Sequence, residues 1–381
     1  MLKIRISIFI IFTAIVIYPL AGSQFDIDKT KVKTKLLSFM VTHFSDGYEI
    51  PWGMAFLPDH RMLVNDISGK MWLLSKDGKT KTNIKGIPPV FFHGQGGLLD
   101  VEVHPDFLNN SLVYISYSEE LDRNRYQTTL IRGTLKKNTF ENIEIVFRAN
   151  EIDFSRTSHH YGSRIVFDDD KFLYFSIGDR GFKEQAQDLT SPSGKIHRVL
   201  GDGTIPLDNP FINIKNAYQS IWTFGNRNPQ GLAKHPKTGL IWESEHGPRG
   251  GDELNLIQKG HNYGWPVITY GINYDGSKIT DLKVKKGMDQ PKKYWTPSIA
   301  VCGIKFYTGE PFKAWENNLL VTSLKYEQLR RLIIINNKKI DEEIIFESGS
   351  RIRDVEVGWD GLIYIALENP GRIVRLSPLR N

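Results

Sequence analysis

A strand–turn–strand unit recurs six times along the chain, and this repeat constrains the fold more than any other feature. The copies begin at Pro51, Leu99, Ser163, Gly231, Ile304 and Ile352. Each copy combines an alternating apolar stretch, a turn with Pro, Asp, Asn or Gly, and a β-rich run such as LYFSIG (173–178) or LIYIAL (362–367). Period-two alternation of β-branched and aromatic residues is typical of strands, and helical periodicity is nearly absent.

Six copies of one unit predict an all-β fold, a six-bladed β-propeller with four-stranded antiparallel blades. Closure into a ring leaves few strand edges exposed. A pair of β-sandwiches is the alternative, but it does not explain six repeats. The stretches between units, at 76–97, 119–160, 181–230 and 258–303, are interpreted as extra loops, where a rigid scaffold can position functional residues.

The first 23 residues have the order of a secretory signal peptide. A basic start precedes an apolar run from Ile6 to Ile17, and the small residues Ala21, Gly22 and Ser23 follow. An uncleaved anchor is the alternative, but the run is shorter than the roughly 20 residues of a membrane span. We expect 1–23 to be removed and 24–381 to form a single catalytic propeller domain. The product would be exported, periplasmic or secreted, without stable membrane insertion.

Charge and cysteine content exclude other classes of protein. The chain has 49 Lys and Arg against 43 Asp and Glu, and the two signs are interspersed. Because no basic tract with interleaved aromatic residues occurs, nucleic acid is not expected as a partner. One cysteine, Cys302, excludes an internal disulfide framework and a Cys-rich zinc site.

Four clusters carry residues with chemical potential. Gln95 lies in GQGGLLD, and His160 in HHYGSRIVF could act as a base near neutral pH. Arg227 and Asn228 lie in WTFGNRNPQG. The acidic side chains and loop carbonyls of SEHGPRGGDELNLI (244–257) and GHNYGWP (260–266) are hard oxygen ligands that suit calcium. Each segment alone is also compatible with a turn or a structural histidine.

The fourth cluster is basic. Lys325 lies in SLKYEQ, and Arg351 and Arg353 in SRIRDV share a strand face because they are two residues apart. With Arg227 they make four cations that a propeller could bring to one mouth. Such a set would require a ligand with several negative charges; a solvated strand end is the alternative.

Taken in order, these motifs resemble the soluble pyrroloquinoline quinone (PQQ)-dependent sugar dehydrogenases. IGDRG, GKIHRVLGDGTIPLDNPF and RIRDV belong to the same set, and the resemblance covers roughly residues 45–378. The chain resembles the aldose sugar dehydrogenase type more than the longer soluble glucose dehydrogenases.

The resemblance implies a propeller that binds PQQ and calcium at its mouth. An aldose would be oxidised at C1 to the lactone while hydride passes to PQQ, and an external electron acceptor would then be reduced by a monomer or homodimer. His160 matches the catalytic base and, with Gln95, the substrate site. The positions that match cofactor contacts are Gln95, Arg227, Asn228, Tyr274, Lys325, Arg351 and Arg353. Those that match calcium ligands are Gly247, Pro248, Glu253 and Tyr263.

Three departures from the family pattern concern sugar specificity more than the chemistry. His159 stands beside the base where the glucose-oxidising branch has an acid, His246 replaces a glutamine, and the 276–295 loop is short. Two other functions stay open at this point. One is a calcium-dependent lactonase-type propeller hydrolase, and the other is a non-enzymatic binding module.

Overall fold

The computed structural model describes residues 29–122 and 124–379, and over these residues nearly all of the regular secondary structure is β-strand. Helical segments there are one α-helix, α1 (Phe107–Asn110), and the 3₁₀ turns Glu151–Asp153, Lys183–Gln187 and Lys313–Trp315. Within the described ranges, no helix is long and apolar enough to cross a membrane. The predicted signal peptide lies outside the described residues.

Two strands precede the repeats, and the first three blades then follow in chain order. The leading strands are β1 (Thr30–Lys33) and β2 (Ser38–Tyr48). Blade 1 is β3 (Pro51–Phe56), β4 (Met62–Asp66), β5 (Lys70–Leu74) and β6 (Lys81–Ile84). Blade 2 is β7 (Leu98–Val103), β8 (Leu112–Asp122), β9 (Arg125–Lys136) and β10 (Thr139–Phe147). Blade 3 is β11 (Ile165–Phe167), β12 (Leu173–Ile177), β13 (Lys195–Val199) and β14 (Ile221–Phe224).

The other three blades repeat this arrangement. Blade 4 is β15 (Pro229–Lys234), β16 (Ile241–Glu245), β17 (Asp252–Leu256) and β18 (Lys293–Trp295). Blade 5 is β19 (Val301–Phe306), β20 (Leu319–Ser323), β21 (Gln328–Ile335) and β22 (Lys338–Glu347). Blade 6 contains β23 (Ile352–Val357), β24 (Ile363–Leu367) and β25 (Gly371–Pro378). The six predicted units therefore correspond to six blades, and the predicted propeller is confirmed.

The sixth blade is completed by the N-terminal part of the described chain. Its sheet has the order β1-β2-β25-β24-β23, so β2 supplies the fourth strand and β1 a fifth. The pairing runs antiparallel from Phe39 opposite Pro378 to Tyr48 opposite Gly371. The ring is thus closed by hydrogen bonds between the two ends of the propeller sequence.

The interpretation of the inter-repeat stretches as extra loops was wrong in part. Residues 119–160 include the end of β8 and all of β9 and β10, and β6, β13, β14 and β18 lie in the other three stretches. Several of these strands have weaker apolar alternation because charged or polar residues interrupt the pattern, exposed in β10 but buried in β13. The stretch 258–292 does contain a long irregular connection, between β17 and β18.

The hydrophobic core is divided among the interfaces between neighbouring blades. Met71 of blade 1 packs in one cluster with Ile115 of blade 2, and Trp242 of blade 4 packs with Val321 of blade 5. Second strands such as β12, β20 and β24 are buried at every position, because both faces of their sheets are covered. Their continuous apolar runs follow from this two-sided burial.

One arginine connects four blades on the central axis. The Arg164 guanidinium lies 2.9 Å from Asp100 and 3.0 Å from Asp354, and it also donates to the carbonyls of Gln230 and Arg353. All of these side chains are buried. This network fills the middle of the channel and separates a cavity at the end where inner strands begin, the mouth, from a cavity at the far end.

Candidate active site

The mouth of the channel contains several of the polar residues that the sequence singled out. A cavity of about 190 Å³ is bordered by Gln95, Gln230, His246, Arg351, Arg353 and Glu368, with Trp52 at its wall. These residues come from four different blades and meet because each lies near the start of an inner strand or just after the end of the strand beside it. Ring closure therefore brings together groups that are up to 316 residues apart in the sequence, from Trp52 to Glu368.

His160 is joined to this cavity through Gln95 and is oriented by a buried aspartate. The His160 backbone N–H donates to Gln95 Oε1 at 2.8 Å. Its ring Nδ1 lies 2.6 Å from Asp179 Oδ1, and Asp179 Oδ2 accepts from the Trp265 indole N–H at 2.8 Å. Asp179 is nearly inaccessible, with 2% of its side chain exposed. The sequence analysis quoted IGDRG but did not assign this aspartate a role.

The electrostatics of the pair fix the tautomer of the imidazole. Burial lowers the pKa of His160 to about 4, with Arg227 adding to the effect and Asp179 opposing it. Burial opposes ionisation of Asp179, but hydrogen bonds from His160 and Gly181 and the charge of Arg227 bring its pKa below the usual range. An ionised Asp179 can only accept, so Nδ1 carries the proton and Nε2 is a free base at neutral pH.

The loop that carries His160 is held in place by close backbone packing and by hydrogen bonds from a buried arginine. His160 has a left-handed backbone with φ 56°, and a Cβ on Gly178 would lie 2.2 Å from the His160 carbonyl. Only glycine at 178 permits this close approach. Arg180 is fully buried, stacks on Tyr161 at 3.5 Å and donates to the carbonyls of Thr157 and His159. The His159 ring packs against Gly181, 4.7 Å from the ring of His160.

Arg227 and Asn228 lie beside this pair, on the loop that precedes β15. The Arg227 guanidinium stacks 5.4 Å from the ring of Trp265 and donates to the carbonyls of His246 and Gly247 at 2.9 and 3.0 Å. Asn228 Oδ1 accepts from the Gly162 N–H at 3.1 Å, two residues after the histidine. Arg227 has no side-chain carboxylate partner among the described residues, so its charge is available to an anionic ligand.

Arg351 and Arg353 do share a face, as predicted, and they meet on one carboxylate. Glu368 Oε2 forms an ion pair with Arg351 at 2.8 Å, and Glu368 Oε1 accepts a hydrogen bond from Arg353. Arg353 also donates to Gln230 Oε1 at 3.0 Å. Two guanidinium groups therefore share a single negative charge, which leaves an excess of positive charge at the cavity wall.

Two other predicted residues are less closely connected to the cavity. Lys325 is exposed and its ammonium lies 5.3 Å from the ring of Tyr326, although the preceding Leu324 borders the mouth. Tyr274 is 73% exposed on the long loop of blade 4. Neither side chain borders the cavity in the described part of the chain, so the cofactor contacts of Lys325 and Tyr274 stay predictions.

His246, one of the departures noted in the sequence, lies between the mouth and a second, smaller cavity. It borders both, and its Nε2 is buried without a hydrogen-bond partner in the described part of the chain. Burial and the nearby cations Arg227, Arg353 and Arg351 lower its pKa well below the usual value. His246 is therefore a neutral, half-buried residue whose buried ring Nε2 has unsatisfied hydrogen-bonding capacity.

The second cavity is lined in part by carboxyl and carbonyl oxygens, the kind of ligand that calcium prefers. Glu245, Gly247, Glu253 and Tyr263 border it, together with Arg227. Nearby, the Asn255 amide lies 3.1 to 3.4 Å from oxygens of Glu243, Glu245 and Glu253. Burial and mutual repulsion raise the pKa of Glu243 and Glu253 well above normal, and burial raises that of Glu245 to about 7.

Unsatisfied oxygens strengthen the case for a cation here. Glu243 Oε1, Asn226 Oδ1 and Asn255 Oδ1 are buried with no partner among the described residues. In the same part of the chain, no three His, Cys, Asp or Glu side chains form a ready-made metal site. A hard cation would therefore need backbone carbonyls as well, such as that of Tyr263. Of the predicted carbonyl ligands, that of Gly247 already accepts from Arg227.

The larger cavity, of about 400 Å³, lies at the far end of the channel. It is bordered by four carboxyl groups, of Asp100, Glu102, Asp354 and Glu356, and by the cations Arg164, Lys234 and Lys305. These cations do not outnumber the carboxyl groups, whereas guanidinium groups are in excess at the mouth, so the mouth is the better candidate for an anionic cofactor.

Comparison with known proteins identifies the family to which this architecture belongs. A family model described as glucose/sorbosone dehydrogenase matches residues 48–375. The chain belongs to the glucose/sorbosone dehydrogenase family. The resemblance noted in the sequence is thereby confirmed, and this dehydrogenase is an oxidoreductase of sugars rather than a lactonase or a binding module.

Individual relatives agree with this assignment. The chain is 40% identical to the aldose sugar dehydrogenase YliI of Escherichia coli (strain K12) over 343 residues, which cover 87% of this chain and 91% of the relative. It is 28% identical to quinoprotein glucose dehydrogenase B of Acinetobacter calcoaceticus over 441 residues, covering 93% and 89% respectively.

Solved structures of relatives have the same fold. The apo-form of the soluble aldose sugar dehydrogenase from Escherichia coli superimposes with a TM-score of 0.85 at 37% identity, covering 89% of this dehydrogenase and 99% of that chain. The PQQ-bound form of an aldose sugar dehydrogenase from Streptomyces coelicolor gives a TM-score of 0.73 at 25% identity, covering 89% and 98%.

Proposed function

We propose that this dehydrogenase oxidises aldoses at C1 to lactones with PQQ and calcium, and that His160 is the general base. The observation that carries the proposal is the His160–Asp179 pair beside an excess of guanidinium groups at the mouth. The PQQ-bound relative and the quinoprotein relative support the choice of cofactor.

The residues of the two neighbouring cavities are suited to bind PQQ and calcium. PQQ carries three carboxylates, and Arg227, Arg351 and Arg353 would bind them by charge-assisted hydrogen bonds. Gln95, Asn228 and, from the exposed surface, Lys325 and Tyr274 would complete its contacts. Glu253 and the Tyr263 carbonyl would hold calcium, with Gly247 and Pro248 nearby. When bound, PQQ supplies a two-electron acceptor and calcium a Lewis acid.

The protein's own residues account for the proton transfer. Asp179 holds Nδ1–H, so the free Nε2 of His160 accepts the proton of the anomeric hydroxyl as hydride leaves C1. The imidazolium that forms is stabilised by the adjacent carboxylate, and the buried Trp265 indole fixes that carboxylate in place. Gln95 holds the backbone of His160 at the cavity and would contact the sugar.

The proposal is tested by reconstitution of the full chain with PQQ and calcium and by dye reduction with aldoses. His160→Ala is expected to bind PQQ with unchanged affinity but to lose at least about a hundredfold in turnover, because a general base contributes that much. His43→Ala, at an exposed imidazole on β2, is the control. Unchanged turnover in His160→Ala would remove the histidine from the mechanism.

The proposal also includes export of the chain, with 1–23 removed and 24–381 as the catalytic domain. The signal-like order of the first 23 residues supports it. The mass of the protein recovered from the host's culture or periplasm tests it, since an intact N-terminus would contradict cleavage.

A further inference from the structure

We propose that a basic and apolar surface beside the mouth, the basic rim, docks an acidic one-electron carrier protein that reoxidises the enzyme. The basic rim lies on the loop 249–251 and on the long connection between β17 and β18. Its exposed cations are Arg249, Lys278, Lys283, Lys285, Lys286 and Lys292. The inference rests on the proposed function, because only a reduced cofactor needs such a partner.

The charge of the basic rim is strongly one-sided. Between 249 and 294 the exposed carboxylates are Asp275 and Asp281, and Asp281 is paired with Lys278 at 2.6 Å. For Arg249, Lys285, Lys286 and Lys292, no ion pair occurs within the described part of the chain. Unpaired surface cations attract an acidic partner and speed its association in a salt-dependent manner.

Large apolar side chains are exposed among these cations. Ile272, Tyr274, Leu282, Val284 and Tyr294 are between 37% and 73% exposed. Tyr294 stacks on Tyr270 at 3.7 Å, and the Lys283 ammonium lies 5.9 Å from the Tyr270 ring. Apolar surface interspersed with basic residues is typical of a protein interaction site, whereas a small soluble acceptor would need only the open mouth.

The basic rim is connected directly to the site. Arg249 and Ile272 exchange backbone hydrogen bonds, and Arg249 lies two residues after Gly247, whose carbonyl binds Arg227. Ile268 and Thr269, at the start of the long connection, border the same small cavity as Arg227, and the Thr269 N–H donates to the Leu282 carbonyl. A carrier seated here would lie next to the cofactor-binding residues.

The electron balance requires an external acceptor, and a one-electron carrier satisfies it. Oxidation of one aldose removes a hydride from C1 and a proton from the hydroxyl. Restoring the enzyme then releases two electrons, one to each of two carrier molecules, and two protons to water. A second copy of this chain is a poor occupant because an isologous contact would place the basic rims against each other.

The test uses the full chain, reconstituted with PQQ and calcium, and an acidic blue-copper protein as the probe. Lys285→Glu/Lys286→Glu is expected to lower the second-order rate of carrier reduction at least about tenfold at low salt, because electrostatic steering contributes that much or more. The salt dependence of that rate should weaken, and aldose-to-dye turnover should stay within about twofold of the parent. Val284→Ser should lower the carrier rate without changing its salt dependence.

Lys136→Glu/Lys137→Glu is the matched control, since it reverses an adjacent exposed pair at the turn between β9 and β10. An equal loss in this control would mean that only net charge matters and would overturn the proposal. Carrier reduction that is unchanged in Lys285→Glu/Lys286→Glu would also overturn it. So would a dimer of the parent that this variant dissociates, because the surface would then join two copies.

A failure of the proposed function can be distinguished from a failure of the docking proposal. If the parent does not reduce dye with any aldose after PQQ and calcium are added, the reaction assignment is wrong. Docking is then measured by calorimetric titration of the blue-copper protein into the parent and the variant at low salt. Equal binding to both proteins, or absence of binding, would refute the basic rim independently of catalysis.

Discussion

The chemistry of the mouth depends on a carboxylate that is 19 residues away from the histidine it orients. Asp179 ends the β12 run, and its two oxygens bind the His160 imidazole and the Trp265 indole. The carboxylate can serve both because the start of β11 and the end of β12 lie side by side in blade 3. A buried ionised aspartate with a neutral histidine is the arrangement that a general base requires.

We predict that Asp179→Asn lowers turnover by about 10² to 10⁴, because Nδ1 would no longer be fixed as the donor. The carboxylate stabilises the protonated ring, so its removal lowers the pKa of His160 further. The acid limb of the pH–rate profile should therefore move to lower pH. Asp168→Asn, at a half-buried aspartate of the β11–β12 turn, is the control. An acid limb that stays in place in a folded Asp179→Asn enzyme would contradict the assignment.

At the level of elements, the β16–β17 pair concentrates carboxylates on one face. Glu243 and Glu245 are two apart on β16, and the register places Glu253 opposite Glu245 and Asn255 opposite Glu243. Like charges directly opposite each other destabilise a strand pair. The sequence pattern E-x-E followed by E-x-N is therefore stable only if protons or a cation neutralise the face.

Glu253→Gln should weaken calcium binding at least about tenfold, since a carboxylate ligand is lost. It should also reduce the pH dependence of stability that the cluster causes without metal. A carboxyl whose folded pKa is raised holds its proton more firmly in the native state, so stability falls as pH rises from about 4.5 through about 7, the value for Glu245. Glu253→Gln should reduce this fall.

Melting temperatures at pH 5 and pH 8, with and without calcium, check both effects of Glu253→Gln. Glu102→Gln is the matched control because that half-buried carboxyl, at the far end of the channel, also has a pKa raised to about 8. Calcium that raises the melting temperature of parent and Glu253→Gln equally, at the same concentrations, would rule out Glu253 as a ligand.

At the level of the whole molecule, positive and negative side chains are distributed unevenly along the channel axis. Guanidinium groups predominate at the mouth, carboxylates predominate at the far end, and Arg164 lies between them. At the far end, burial raises the pKa of Glu356 to about 7 although Lys305 opposes the shift. The mouth is therefore the end of the channel with an excess of positive charge, and it is the better entry for an anionic cofactor.

Arg164→Leu should destabilise the propeller by about 3–5 kcal/mol, because it leaves two buried carboxylates without their cation. Denaturant unfolding should show a lower midpoint with an unchanged slope. Arg132→Leu, which breaks a pair with the exposed Glu144, should cost less than about 1 kcal/mol. Similar losses in both variants would mean that the four-blade connection adds nothing beyond a surface ion pair.

The sequence by itself determined the number and order of the blades. Period-two patterns and turn residues are local properties, so the starts of β3, β7, β11, β15, β19 and β23 fall close to the six predicted units. The ordered motifs also led to His160, Arg227, Arg351 and Arg353, whose positions at or beside the mouth the structure now describes.

Only the tertiary structure decided which distant groups meet. The closure of blade 6 by β2, the partnership of Asp179 with His160, and the sharing of Glu368 by Arg351 and Arg353 have no local signal. The same is true of Arg164, which binds groups on three other blades. Local patterns specify which face of a strand is buried, but ring closure brings the strand ends to one axis, and only there do charges separated along the chain become neighbours.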